Sequence, residues 1–76
     1  MKTRYFEVSA DFKIDGTIVQ SGTKKTIQVP KGTMISISWS GSLVTLKVDK
    51  QGYLVLQKDL DPKMRHLKEL RSTRRV

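Results

Sequence analysis

Residues 6–16, FEVSADFKIDG, decide the fold, because their side chains alternate without interruption between apolar and polar. Apolar residues occupy every second position from 6 to 14, which puts one face of a strand in a core and the other in water. Asp15-Gly16 follows, and this pair suits the positive φ angles of a type I′ turn. The stretch therefore predicts a half-buried strand that turns back at Asp15-Gly16 into a second strand over 17–20.

Shorter alternating segments continue the pattern at 25–29, 34–39, 43–48 and 53–57, with breaks rich in Gly, Ser or Pro between them. Residues 49–52, DKQG, are typical of a type I turn closed by a glycine bulge. The sequence predicts a mainly β fold, a small antiparallel meander of five or six short strands. To cover one apolar face, it closes as a barrel, which is our first choice, or packs as a two-layer sandwich. This architecture resembles small SH3-like and OB-like barrels.

The pattern changes at Asp61-Pro62, a typical helix start in which Asp61 caps the first free amides and Pro62 occupies the first helical position. We predict a C-terminal α-helix over 61–72 and a mobile basic tail over 73–76. One stripe of this helix is apolar and is expected to dock on an open end or edge of the sheet: Leu60, Met64, Leu67 and Leu70.

The size of the chain limits how it is stabilised. Its 76 residues form a single domain, 1–76, with a thin core. Because there is no Cys and only one His, His66, we expect no disulfide, no metal site and no cofactor. A homodimer would supply further buried surface. The lack of Cys favours a cytoplasmic location, and no apolar run approaches the roughly 20 residues of a membrane span.

Positive charge is concentrated toward the C-terminus. The chain has 15 Lys and Arg against 7 Asp and Glu, a net charge of +8. Residues 1–60 carry nine basic and five acidic groups, and residues 61–76 carry six basic and two acidic groups, so each part contributes +4. This field attracts polyanions such as nucleic acid, anionic membranes or acidic protein surfaces.

Catalysis is not indicated by any motif, and we expect a protein that is not an enzyme. His66 lies far along the chain from most Ser residues, and is expected to be a surface or helix-packing residue. Glu7 and Asp11 would stand about 13 Å apart on one strand, too far for a glycosidase pair. Residues 16–24, GTIVQSGTK, differ from a phosphate loop in the spacing of their glycines. Gly16 and Gly22 also lie on either side of a predicted strand, whereas a phosphate loop leads from a strand into a helix.

The basic residues instead predict a small nucleic-acid-binding protein of low sequence specificity that contacts the phosphate backbone. The candidates lie in the predicted helix and tail and, for the lysines at 24, 25 and 50, in predicted turns: Arg65, Lys68, Arg71, Arg74, Arg75, Lys24, Lys25 and Lys50. Arginine favours specific anion contact, because its guanidinium donates two parallel bonds to phosphate. Three aromatic residues are candidates for stacking on bases, with Trp39 expected in the core and the tyrosines on outer faces: Tyr5, Tyr53 and Trp39.

The alternative is a small regulator or inhibitor that binds an acidic surface on a larger protein complex, through a sheet edge and the helix. Positive charge would then mainly accelerate encounter with the partner. Attachment to a membrane surface through residues 60–76 ranks third, because that segment has only four sizeable apolar groups and no Trp or Phe.

Overall fold

The computed structural model describes residues 2–70, which form seven strands and one short helical segment. The helical segment is an α-helix, α1 (Gln57–Leu60), that continues directly into a 3₁₀ helix (Asp61–His66). The strands are β1 (Lys2–Val8), β2 (Phe12–Ile18), β3 (Lys24–Val29), β4 (Met34–Ser40), β5 (Leu43–Val48), β6 (Gln51–Val55) and β7 (Leu67–Glu69). In the described range no helix is long and apolar enough to cross a membrane.

All seven strands belong to one antiparallel sheet with the order β3-β2-β6-β5-β4-β1-β7. The prediction of a mainly β fold with a short helix near the C-terminus is confirmed. The barrel is not closed, because β3 and β7 are edges of the sheet over residues 2–70. The sandwich alternative remains compatible with a sheet that folds over to bury one face.

The helical segment lies where the sheet curls over. In a flat sheet, five strand spacings of about 4.8 Å would hold β2 and β7 about 24 Å apart. Both strands nevertheless contact the 3₁₀ helix. The Phe12 and His66 rings stack with centroids 6.2 Å apart, and the Ser9 amide donates to the His66 carbonyl at 2.8 Å. His66 is therefore a packing residue, as expected.

The core is built from the inner face of the curled sheet and from one helical side chain, Leu60, which is fully buried. Met64 and Leu67 pack against this core. Three of the four residues of the predicted apolar stripe therefore contact the core, although Leu67 does so from strand β7 and not from a helix. The buried strand residues are Phe6, Val8, Phe12, Ile14, Ile27, Val29, Ile35, Ile37, Val44, Leu46, Val48 and Val55.

The predicted first hairpin is wrong. The chain leaves the sheet at residues 9–11, between β1 and β2, where the Asp11 carboxylate accepts a 2.6 Å hydrogen bond from the Lys31 amide. Asp15 and Gly16 lie inside β2, and the turn comes later, with Gly22 at φ +72°. The prediction failed because the alternation of apolar and polar residues continues through the bend at residues 9–11, with Val8 and Phe12 both buried.

The turn at residues 49–50 also differs from its prediction. Asp49 and Lys50 both have positive φ, 50° and 72°, and Val48 pairs with Gln51. This is a tight two-residue connection, in which both central residues adopt the conformation of a type I′ turn. Gly52 is an ordinary residue of β6 rather than a bulge that closes the turn.

The predicted helix over 61–72 is also wrong in extent. Helical structure begins at Gln57, ends at His66 and is followed by β7. Asp61 is not a cap: its carboxylate accepts a 2.6 Å hydrogen bond from the Gln57 side-chain amide. Pro62 still occupies the start of a helix, but of the 3₁₀ helix rather than of a new α-helix. The predicted mobile tail, 73–76, lies outside the described residues.

Gly16 allows close packing between strands, and we expect Gly16→Ala to lower the free energy of unfolding by about 1–3 kcal/mol. A Cβ atom there would lie 2.9 Å from Ile27 Cδ1, 3.1 Å from the Leu54 carbonyl oxygen and 3.1 Å from Val55 Cγ1. Gly52→Ala is the matched control, because its Cβ would meet nothing closer than 3.6 Å. Urea denaturation of both variants measures the difference, and equal midpoints would contradict this role for Gly16.

Candidate nucleic-acid interface

Strand β7 carries the C-terminal segment to the edge of the sheet beside β1. Glu7 pairs with Lys68, and Val8 pairs with Leu67. The Leu70 amide donates a 2.8 Å hydrogen bond to the Tyr5 carbonyl oxygen. Leu70, the last residue that the structure describes, therefore lies directly beside Tyr5.

A bidentate ion pair between Arg4 and Glu69 links β1 to β7 at this edge. Arg4 Nε donates to Glu69 Oε2 at 2.7 Å, and a second guanidinium nitrogen of Arg4 donates to Glu69 Oε1. The hydrogen bonds and the charge of Arg4 hold the pKa of Glu69 below its ordinary value of 4.5. The pair's contribution to stability is therefore complete above that value, and it is lost as the pH falls through the lowered native pKa.

Tyr5 lies on the outer face of β1, where half of its surface is exposed. It pairs with Ser36 on β4, and Ser36 pairs with Lys47 on β5. Residues paired in this way project from the same face of the sheet, so Tyr5 and Lys47 stand two strand spacings, about 10 Å, apart. Lys68 lies on the same face and diagonally across from Tyr5, at about 7–8 Å. We call Tyr5, Ser36, Lys47 and Lys68 the Tyr5 patch.

Acidic residues are sparse on this face. Over the described parts of β1, β4, β5 and β7, Glu7 is the one carboxylate that shares the face of Tyr5, since Glu69 lies on the opposite face with Arg4. The other outward residues of β1 and β4 near the patch are mostly hydroxyls, and Thr3 and Ser38 hydrogen-bond each other at 2.9 Å. The patch therefore combines one exposed ring and two cations, with hydroxyl neighbours and one carboxylate, Glu7, which pairs with Lys68.

The predicted phosphate-binding residues do not form one surface. Lys24 and Lys25 lie in β3, at the edge of the sheet opposite to β7, and not in a turn as predicted. Lys50 lies in the turn between β5 and β6, and Arg65 is exposed on the 3₁₀ helix. Of the predicted set, the structure brings only Lys68 beside Tyr5. The remaining three lie outside the described residues: Arg71, Arg74 and Arg75.

The other two aromatic candidates are less accessible than Tyr5. Tyr53 pairs with buried Leu46, so the expected outer-face position is wrong, and its ring packs against the core. Trp39 also packs against the core, as predicted, and is only partly buried. Its indole nitrogen donates a 2.8 Å hydrogen bond to the side-chain oxygen of Gln57.

Lys47 is the residue of the patch that the sequence prediction missed. The alternation in β5 did place it on a polar face, opposite to Val44, Leu46 and Val48. Its position two strands from Tyr5 follows only from the pairing of β4 with both β1 and β5. The face on which Lys47 lies could therefore be predicted from the sequence, but the residues beside it on neighbouring strands could not.

A second surface feature is a groove of about 800 Å³ toward the β3 end of the sheet. Its rim carries Lys24 and Lys25 from edge strand β3, together with Asp15 and Asp59. Three leucines that line it are exposed, by 59%, 38% and 57% respectively: Leu43, Leu54 and Leu56. None of the residues of the Tyr5 patch lines this groove.

Comparisons with known proteins give no family for this chain. No protein-family model matches it, and neither a curated protein nor a solved structure is similar to it.

Proposed function

We propose that this chain binds nucleic acid with low sequence specificity, contacting phosphates with Lys68, Lys47 and the arginines that follow Leu70. The pairing of β7 with β1 carries this proposal, because it places Leu70 beside an exposed aromatic ring. In the sequence, Arg71, Arg74 and Arg75 follow Leu70 by one, four and five positions.

The small number of ion pairs formed by the Lys and Arg side chains supports the proposal. Twelve of the fifteen Lys and Arg fall in residues 2–70, since three arginines follow at 71, 74 and 75. Among the described residues, Arg4 with Glu69 is the one ion pair. Several carboxylates instead accept hydrogen bonds from uncharged groups. For example, the Asp15 carboxylate accepts one from the Thr26 hydroxyl at 2.7 Å. Most of the positive charge therefore remains available to an external polyanion.

Low specificity follows from the type of contact. Phosphate groups are common to every nucleotide, so contacts to them position a ligand without reading its sequence. The described helical segment has Leu60 in the core and lies in the gap between β2 and β7, which leaves it poorly placed to enter a groove of DNA. We therefore expect similar affinities for different sequences of the same length.

The direct test is titration of fluorescently labelled DNA and RNA at salt concentrations between about 50 and 200 mM. About four phosphate contacts give a slope of log affinity against log salt of about −3 to −4. A slope near zero, or no binding at the lower salt concentration, would contradict the proposal.

The second candidate function is that of a small regulator that docks on an acidic surface of a larger protein complex. The groove favours it, because exposed leucines beside Lys24 and Lys25 offer apolar contact flanked by positive charge. Edge strand β3 lies alongside, and a partner strand could add to such an edge.

Capture experiments separate the two functions. The protein is used as bait in a lysate treated with nuclease, next to a Leu54→Glu variant that places a charge in the groove. A protein partner that survives nuclease and is lost with Leu54→Glu supports the regulator. Loss of all captured protein on nuclease treatment supports nucleic acid.

A further inference from the structure

We infer that the nucleic acid is single-stranded and that one of its bases stacks on Tyr5. The inference rests on the proposed function and adds the strandedness of the ligand. Tyr5 is half exposed, and no hydrogen bond of its hydroxyl is formed within residues 2–70. An aromatic ring on a sheet surface is a stacking platform for any unpaired base, since every base has a π face.

The position of Tyr5 within the sheet is unsuited to base contact in the major groove of a duplex. Strand β1 lies between β4 and β7, so Tyr5 projects from the face of the sheet and not from its tip or edge. The major groove of B-form DNA is about 12 Å wide and admits a helix or a two-stranded ribbon. A wider sheet face does not enter it, so an undistorted B-form duplex would offer Tyr5 its backbone rather than the base edges of this groove.

The cations are spaced to hold a single strand across the ring. Lys68 lies on the β7 side of Tyr5, and Lys47 lies on its other side beyond Ser36. A base on Tyr5 would therefore have a cation near the backbone on either side. The small side chain of Ser36 between Tyr5 and Lys47 leaves room for the sugar.

The test compares the wild-type chain with Tyr5→Ala and Tyr5→Phe on three probes: a labelled oligothymidine and an oligouridine of about 15 nucleotides, and a DNA duplex of equal length. Wild type is expected to bind the single strands more tightly than the duplex. Tyr5→Ala should weaken single-strand binding by about 5- to 150-fold, with little effect on the duplex. Tyr5→Phe keeps the ring and should retain single-strand affinity.

The salt dependence distinguishes stacking from loss of a charge contact. Because the ring makes no phosphate contact, Tyr5→Ala should leave the slope of log affinity against log salt unchanged. Equal binding of single strands and duplex, with no effect of Tyr5→Ala, would overturn this inference and leave the proposed function standing. Failure of wild type to bind any of the three probes would overturn both. The melting temperature of each variant shows whether the fold is retained.

Discussion

Replacing Leu60 with alanine is expected to lower the free energy of unfolding by about 2–5 kcal/mol. Leu60 is the one fully buried side chain of the helical segment, and it belongs to the hydrophobic core. A chain of this size is stable by only about 4–11 kcal/mol, at about 0.05–0.15 kcal/mol per residue. Losing this side chain therefore removes a large fraction of the total stability.

Leu56→Ala is the matched control for Leu60→Ala. Leu56 lies four residues earlier, and its side chain is 57% exposed. We expect this variant to stay within about 0.5 kcal/mol of wild type. Urea denaturation gives both values. Equal destabilisation by the two substitutions would contradict the role of the helical segment as the cover of the core.

Changing Arg71, Arg74 and Arg75 together to alanine is expected to have the largest effect on binding. Each phosphate contact contributes about −0.7 to the salt slope on a single strand, so three lost contacts reduce its magnitude by about 2. The same relation predicts about 30-fold weaker binding near 200 mM salt and several hundred-fold weaker binding near 50 mM. Fluorescence anisotropy at several salt concentrations measures both quantities.

A control for net charge accompanies the triple arginine variant. Lys13, Lys24 and Lys25 lie on β2 and β3, at the other edge of the sheet from β7. Replacing these three with alanine removes the same number of charges. If binding depends on the three arginines that follow Leu70, this lysine variant should lose far less affinity. Equal losses in the two variants would show that only the overall charge matters.

The strands could be predicted from sequence because alternation of apolar and polar residues is a local signal. The bend at residues 9–11 could not, since Val8 and Phe12 are both buried and the pattern runs through it. The sequence at Gly16 predicts a turn, because glycine is common both in turns and at sites of close packing. Its neighbours, Ile27 and Val55, come from other strands and are not visible locally.

The candidate site was predicted in part. Tyr5 was correctly expected on an outer face, and Lys68 was among the expected phosphate-binding residues. Their adjacency depends on β7, a strand of three residues that pairs with β1 residues 59 to 63 positions earlier. Such a short strand has no alternation of its own, and the helical pattern over 61–72 obscured it.

Mapping of backbone amide chemical shifts during titration with a single-stranded oligonucleotide tests the central claim most directly. We predict that the perturbed amides cluster around the Tyr5 patch and continue into the chain after Leu70. Perturbations confined to the groove lined by Lys24, Lys25 and Leu54 would contradict this location, and an unchanged spectrum would contradict nucleic-acid binding itself.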